Sequence, residues 1–147
     1  MTFQIVAALL IVAGAALVFQ NVLMAQMTAQ TSNVLVTLIL NSAVGLAALT
    51  ALLFLRNGIA GFGEIVAAIR PVSVLPGLLG SFFVFASIAG YQKIGAAATI
   101  SMLVGSQLVF GIAFDIARSG ATQGLLSAIA GMALLMGGVM LIVFRPG

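Results

Sequence analysis

Five apolar runs, each long enough to cross a bilayer as a helix, dominate this chain and leave little room for anything else. A hydrocarbon core about 30 Å thick calls for about 20 helical residues, and runs of that size fall near 3–26, 33–55, 73–92, 96–117 and 122–144 of the 147 residues. With 63% apolar and 5% charged residues, the composition sits far from the soluble norm of about 45–50% apolar and about 25% charged. The expected fold class is an all-α membrane protein, one five-helix domain spanning residues 1–147, with the lipid bilayer as its main solvent. The first run, from Ile5 to Phe19, has no Lys or Arg before it. It therefore reads as the first span rather than a signal peptide, with Met1 as the mature start.

The joints between runs are legible. Thr28 to Asn33 is an uncharged polar turn, Tyr91-Gln92-Lys93 closes the third span before Gly95, and Arg118-Ser119-Gly120 closes the fourth. The longest connection, 56–71, opens on Asn57, Gly58, Gly61 and Gly63. Within it Phe62, Ile65, Val66 and Ile69 recur at helical spacing, which predicts a short helix lying in the membrane interface. Pro71 and Pro76 fall where the third span begins, a place that tolerates a missing N–H, so they restart a helix rather than kink one.

Composition also excludes whole classes of chemistry. Cysteine and histidine are both absent, which removes disulfides, thiolate metal sites and the commonest neutral-pH proton shuttle. No serine or threonine has an evident base to activate it, and no phosphate-binding glycine loop follows a strand. No enzyme, metal or cofactor is expected. The net charge of +3 comes from single cations between apolar runs, which cannot form the continuous basic face of a nucleic-acid binder.

Those cations report topology instead. An odd span count puts the termini on opposite sides, so Arg56, Arg70 and Arg118 share the face of the N-terminus and Lys93 and Arg145 lie on the other. Orientation follows Lys/Arg excess in short loops, and three against two is nearly balanced. Both orientations are expected to be accessible. No internal repeat is present, so a second, inverted copy of the chain would have to supply one.

Polar groups within the spans are the candidate pathway, because each is costly in lipid unless it faces a partner. Ala7, Gly14 and Asn21 recur every seven residues with Gln20 adjacent. Thr37, Asn41, Gly45 and Ala48 form a second stripe beside Ser42. Gly77, Gly80, Ser81, Val84, Ser87 and Tyr91 follow in the third span, and Ala97, Ser101 and Gly105 with Gln107, Gly111 and Asp115 in the fourth. The small hydroxyl residues Thr37, Ser81, Ser87 and Ser101 are better explained by helix packing than by a pathway. The large amides Gln20, Asn21 and Gln107 need several partners each, so a solute pathway and helix packing are equally supported for them. Asp115 is the one carboxylate inside a span; it is read either as an interfacial pair with Arg118 at i+3 or as a gate or coupling group. Tyr91 and Lys93 read as interfacial anchors. In the fifth span Gly124, Gly131 and Gly138 repeat every seven residues on an otherwise apolar helix, which suits a dimer interface, with packing inside one subunit as the alternative.

Several stretches carry a resemblance that covers nearly the whole chain. They are Phe19-Gln20-Asn21 through Thr31-Ser32, Asn41 through Gly45, Pro76-Gly77-Leu78-Leu79-Gly80-Ser81, Ala86-Ser87-Ile88, Lys93-Ile94-Gly95-Ala96-Ala97, and Gly105-Ser106-Gln107 to Phe114-Asp115. On these the chain resembles the YdcZ-like family of small bacterial inner-membrane proteins in the drug/metabolite transporter superfamily. The resemblance implies a five-helix subunit that pairs with an inverted second copy into a ten-helix transporter-like homodimer in the bacterial inner membrane. Related small multidrug resistance proteins use a glutamate in the first helix; here Gln20 and Asn21 stand in that helix instead, so a neutral or anionic solute is as well supported as a cation.

The functional expectation is a small-solute transporter working by alternating access as a dual-topology homodimer. Its pathway is expected along Gln20, Asn21, Asn41, Ser81, Gln107 and Asp115, and its dimer interface along Gly124, Gly131 and Gly138. A dual-topology channel, and a non-transporting subunit or half of a heterodimer, are the competing readings.

Overall fold

The computed structural model describes residues 2–119 and 125–144. Six α-helices follow in order among the described residues: α1 Phe3–Ala29, α2 Val34–Asn57, α3 Ala60–Ala68, α4 Val74–Ile94, α5 Ala96–Ser119 and α6 Leu125–Val143, with a 3-10 turn Pro71–Ser73 leading into α4. Five are long and apolar enough to cross a membrane: Phe3–Ala29, Val34–Asn57, Pro71–Ile94, Ala96–Arg118 and Leu126–Val143. Their places match the five runs in the sequence. The reason is local: in lipid a helix satisfies its backbone N–H and C=O groups within one segment.

The joints obey equally local chemistry. At the α1–α2 turn the Asn33 side chain accepts a hydrogen bond from the Leu35 N–H at 2.9 Å and caps α2. At its other end α2 stops at Gly58, whose φ of 59° lies in the left-handed region where a Cβ would be strained. Gly95, at φ 82°, performs the same turn between α4 and α5. A short helix is present in this connection as α3, with Phe62, Ile65 and Val66 exposed along it and Ile69 exposed just past its end. It folds back on α2 through Gly61, where an added Cβ would lie 2.9 Å from Leu53 Cγ. Pro71 opens the 3-10 turn and Pro76 sits in the first turn of α4, so both prolines restart a helix as expected.

The chain divides into two compact units, one running to Ala89 and one from Gly90 onward. In the first, α1 and α2 form an antiparallel hairpin, and α3 packs on the end of α2. In the second, α5 and α6 form the main pairing, and the end of α4 meets α5 where Gly90 faces Thr99. Buried side chains are few: Met24 and Ile88 in the first unit, Ala98 and Val139 in the second, with Asn21, Thr37, Ser87 and Thr99 as buried polar residues. Large apolar side chains cover the outside of all five spans, a surface suited to lipid.

Candidate functional site

Hydroxyls and amides behave differently in these helices, and the difference isolates the site. A serine or threonine hydroxyl has one proton, and the helix itself can accept it at the carbonyl one turn back. Thr28 donates to Met24 O at 2.8 Å, Ser81 to Gly77 O at 2.9 Å, Ser87 to Phe83 O at 2.8 Å and Thr99 to Gly95 O at 2.7 Å. Each of these protons is thus used within its own helix. A carboxamide presents two N–H donors and a carbonyl acceptor, more than its own helix can serve.

The hairpin of α1 and α2 brings two such amides together. Gln20 Nε2 donates to Asn41 Oδ1 at 3.0 Å, across 21 residues of sequence, and also points at the Met24 sulfur at 3.9 Å. Nearer the turn, the Thr28 and Thr37 hydroxyls lie 3.1 Å apart and share a second polar contact between the same helices. Thr37 is fully buried, whereas Gln20 and Asn41 are half-buried and remain reachable. Asn21, beside Gln20, is packed away at 3% exposure.

Ser81 lies on α4 in the same unit, where it lines an open groove of about 450 Å³ with Ser42, Leu35, Leu38, Ile39 and Leu46. Its own hydroxyl is held by Gly77 O, so the groove is largely apolar. The second unit carries the other expected residues. Gln107 and Asp115 are both exposed on α5, and Asp115 stands three residues before Arg118 near the end of that helix. Between α5 and α6 runs a cleft of about 370 Å³ in which Met102, Met136 and Met140 flank Gly105.

The expected glycine interface divides in the same way. Gly131 is exposed and Gly138 half-buried on α6, both with nothing within 4 Å of an added Cβ among the described residues; Gly138 lines a groove of about 330 Å³ between α5 and α6. Gly124 lies outside the described residues, as does Arg145. Gly105, by contrast, is a packing glycine whose Cβ would lie 3.2 Å from Met136 Sδ.

Tyr91 is the residue whose surroundings the sequence did not disclose. An interfacial anchor holds its hydroxyl out to water; here the Tyr91 hydroxyl oxygen is enclosed and has no hydrogen-bond partner among the described residues. Its position near a helix end suggested the interface, but its neighbour Gly90 brings Thr99 of α5 up against this turn of α4. No sequence signal short of that helix crossing could have revealed it. Among the described residues no cluster of His, Cys, Asp or Glu could hold a metal ion.

Comparison with known proteins agrees with this architecture. A family model described as "Putative inner membrane exporter, YdcZ" matches residues 5–141. The chain is 48% identical over 140 residues to the inner membrane protein YdcZ of Escherichia coli (strain K12), covering 94% of each chain. No solved structure matches it. The five spans, their polar turns and a match over almost the whole length agree: the chain belongs to the YdcZ family of inner-membrane proteins, of the drug/metabolite transporter type.

Proposed function

We propose that this chain exports a small solute by alternating access, as an antiparallel homodimer whose two copies insert in opposite orientations. The observation that carries this reading is the Gln20–Asn41 contact. Gln20 lies nine residues before the end of α1 and Asn41 seven after the start of α2, a depth of about 10–14 Å at 1.5 Å per residue. That depth is well inside a hydrocarbon core about 30 Å thick. Polar side chains held there mark solute pathways in transporters, whose sites lie near the midplane between inverted repeats. One chain has no such repeat, and the near-balance of Arg56, Arg70 and Arg118 against Lys93 and Arg145 lets a second copy provide it.

Gln20, Asn41 and the Ser81 groove are the solute-facing elements of the first unit in this proposal, with Asn21 backing Gln20. In the second unit Gln107 is the corresponding large amide and Asp115 the candidate coupling group. Gly131 and Gly138 are the proposed contact with the inverted copy, because a glycine with nothing within 4 Å of an added Cβ among the described residues leaves room for another backbone.

The test uses two copies of the chain biased in opposite directions, one by two lysines beside Arg145 and one by two lysines near Arg56. Each alone should lose export and the two co-expressed should recover it. Full activity of either biased copy alone would rule out dual topology. In liposomes, ion flux far above about 10³ per second, roughly the ceiling for conformational steps of microseconds to milliseconds, would replace the carrier with a channel.

A further inference from the structure

The Gln20–Asn41 contact leaves hydrogen-bonding capacity unused, and its chemistry defines what can complete it. Gln20 spends one N–H on Asn41 Oδ1 and aims the other at a thioether, a weak acceptor. Gln20 Oε1 and Asn41 Nδ2 then have no protein partner among the described residues. Exchanging O and N in both amides reverses the bond but leaves the same complement, one carbonyl and one NH₂ group. Either way the two contacting amides leave one acceptor and one donor unused between them.

The two helices that carry the pair bring no charge to it. Between Met1 and Leu55 the sequence contains no Asp, Glu, Lys or Arg. The first cation, Arg56, lies 15 residues beyond Asn41 along α2, about 22 Å at 1.5 Å per residue. A charged solute at this depth would surrender its hydration with no countercharge in α1 or α2 to replace it. A neutral group with its own adjacent donor and acceptor would lose far less, since both of its hydrogen bonds are remade on the amide pair.

On the transporter reading above, we infer that the Gln20–Asn41 pair is the recognition element for an uncharged solute bearing a carboxamide-like group, a carbonyl next to an N–H. The carbonyl accepts from Asn41 Nδ2 and the N–H donates to Gln20 Oε1. Apolar walls from α1 and α2 suit an unsubstituted ring or short hydrocarbon attached to that group. Selection is by hydrogen-bond pattern and by the absence of charge.

The test compares three probes on one ring: nicotinamide, the nicotinate anion, and the ring-N-methylated nicotinamide cation. Binding is measured on the purified full-length protein by equilibrium dialysis. Nicotinamide should bind in preference to both ions by about tenfold or more. Gln20→Leu should weaken it by about tenfold, the size expected for one lost hydrogen bond of ordinary strength. Gln20→Glu, nearly the same shape, should shift the preference to the cation, which keeps the test decisive if the leucine variant folds poorly. Preference of the wild type for either ion, or binding of none of the three, overturns the inference. So does a Gln20→Leu protein that binds nicotinamide normally but elutes as a monomer, because the free amide edges would then belong to the second copy. Each of these outcomes is separate from the flux and co-expression measurements, so the transporter reading can stand when this inference falls.

Discussion

Gly90 and Thr99 meet so closely that a Cβ placed on the glycine would lie 2.6 Å from Thr99 Cγ2 and 2.7 Å from its Oγ1. Thr99 cannot swing aside. It is β-branched and stiff about χ1, its hydroxyl is tied to Gly95 O at 2.7 Å, and it is 4% exposed. The contact therefore holds the last turn of α4, from Gly90, against the start of α5.

Gly90→Ala should lower stability by about 1–3 kcal/mol, the range for overpacking a tight contact. Thermal unfolding in detergent reads this directly. Adding Thr99→Ala, which removes both of the closest atoms, should recover part of the loss. Additive losses in the double variant would contradict direct contact.

Gly105→Ala is expected to be milder, at less than about 1.5 kcal/mol. Its Cβ meets Met136 Sδ at 3.2 Å, and an unbranched methionine can rearrange where a fixed threonine cannot. The same unfolding measurement ranks the two glycines.

Gly131→Leu should leave the unfolding temperature of the subunit nearly unchanged, because an added side chain enters open space; substitutions away from contacts usually fall within about 0.5 kcal/mol. Its mass in detergent by light scattering should fall from dimer to monomer. An unchanged dimer would remove this face of α6 from the interface.

Thr37→Val keeps the shape of a fully buried residue and removes its hydroxyl from Thr28. Thr28 retains its bond to Met24 O, so the expected cost is small, about 0.6 kcal/mol and at most about 1.7. Denaturant titration in mixed micelles measures it. A much larger loss would mean that the pair also orders the α1–α2 turn.

Gln30→Cys and Ile59→Cys place single thiols on opposite faces of a chain that has no cysteine of its own. Both positions are exposed. With an impermeant maleimide added outside intact spheroplasts, dual topology predicts that each variant labels to a comparable partial extent. Complete labelling of one and none of the other would establish a single orientation.

Sequence alone determined the five spans, the polar turn from Thr28 to Asn33, a short helix within 56–71 and the helix restart at Pro71, because each depends on a segment's own backbone and its immediate neighbours. In lipid a helix closes its hydrogen bonds internally, so span number and length are written in hydropathy. Tertiary structure decided the rest: that Gln20 meets Asn41, that Gly90 and Gly105 are packing glycines while an added Cβ on Gly131 or Gly138 would meet nothing within 4 Å among the described residues, and that the Tyr91 hydroxyl is enclosed. Lipid tails are as apolar as the interior of a helix bundle. The spans are accordingly apolar on every side, and no alternation along the sequence marks which face turns inward. Only the packing of one helix on another selects the amides that pair and the glycines that meet a neighbour.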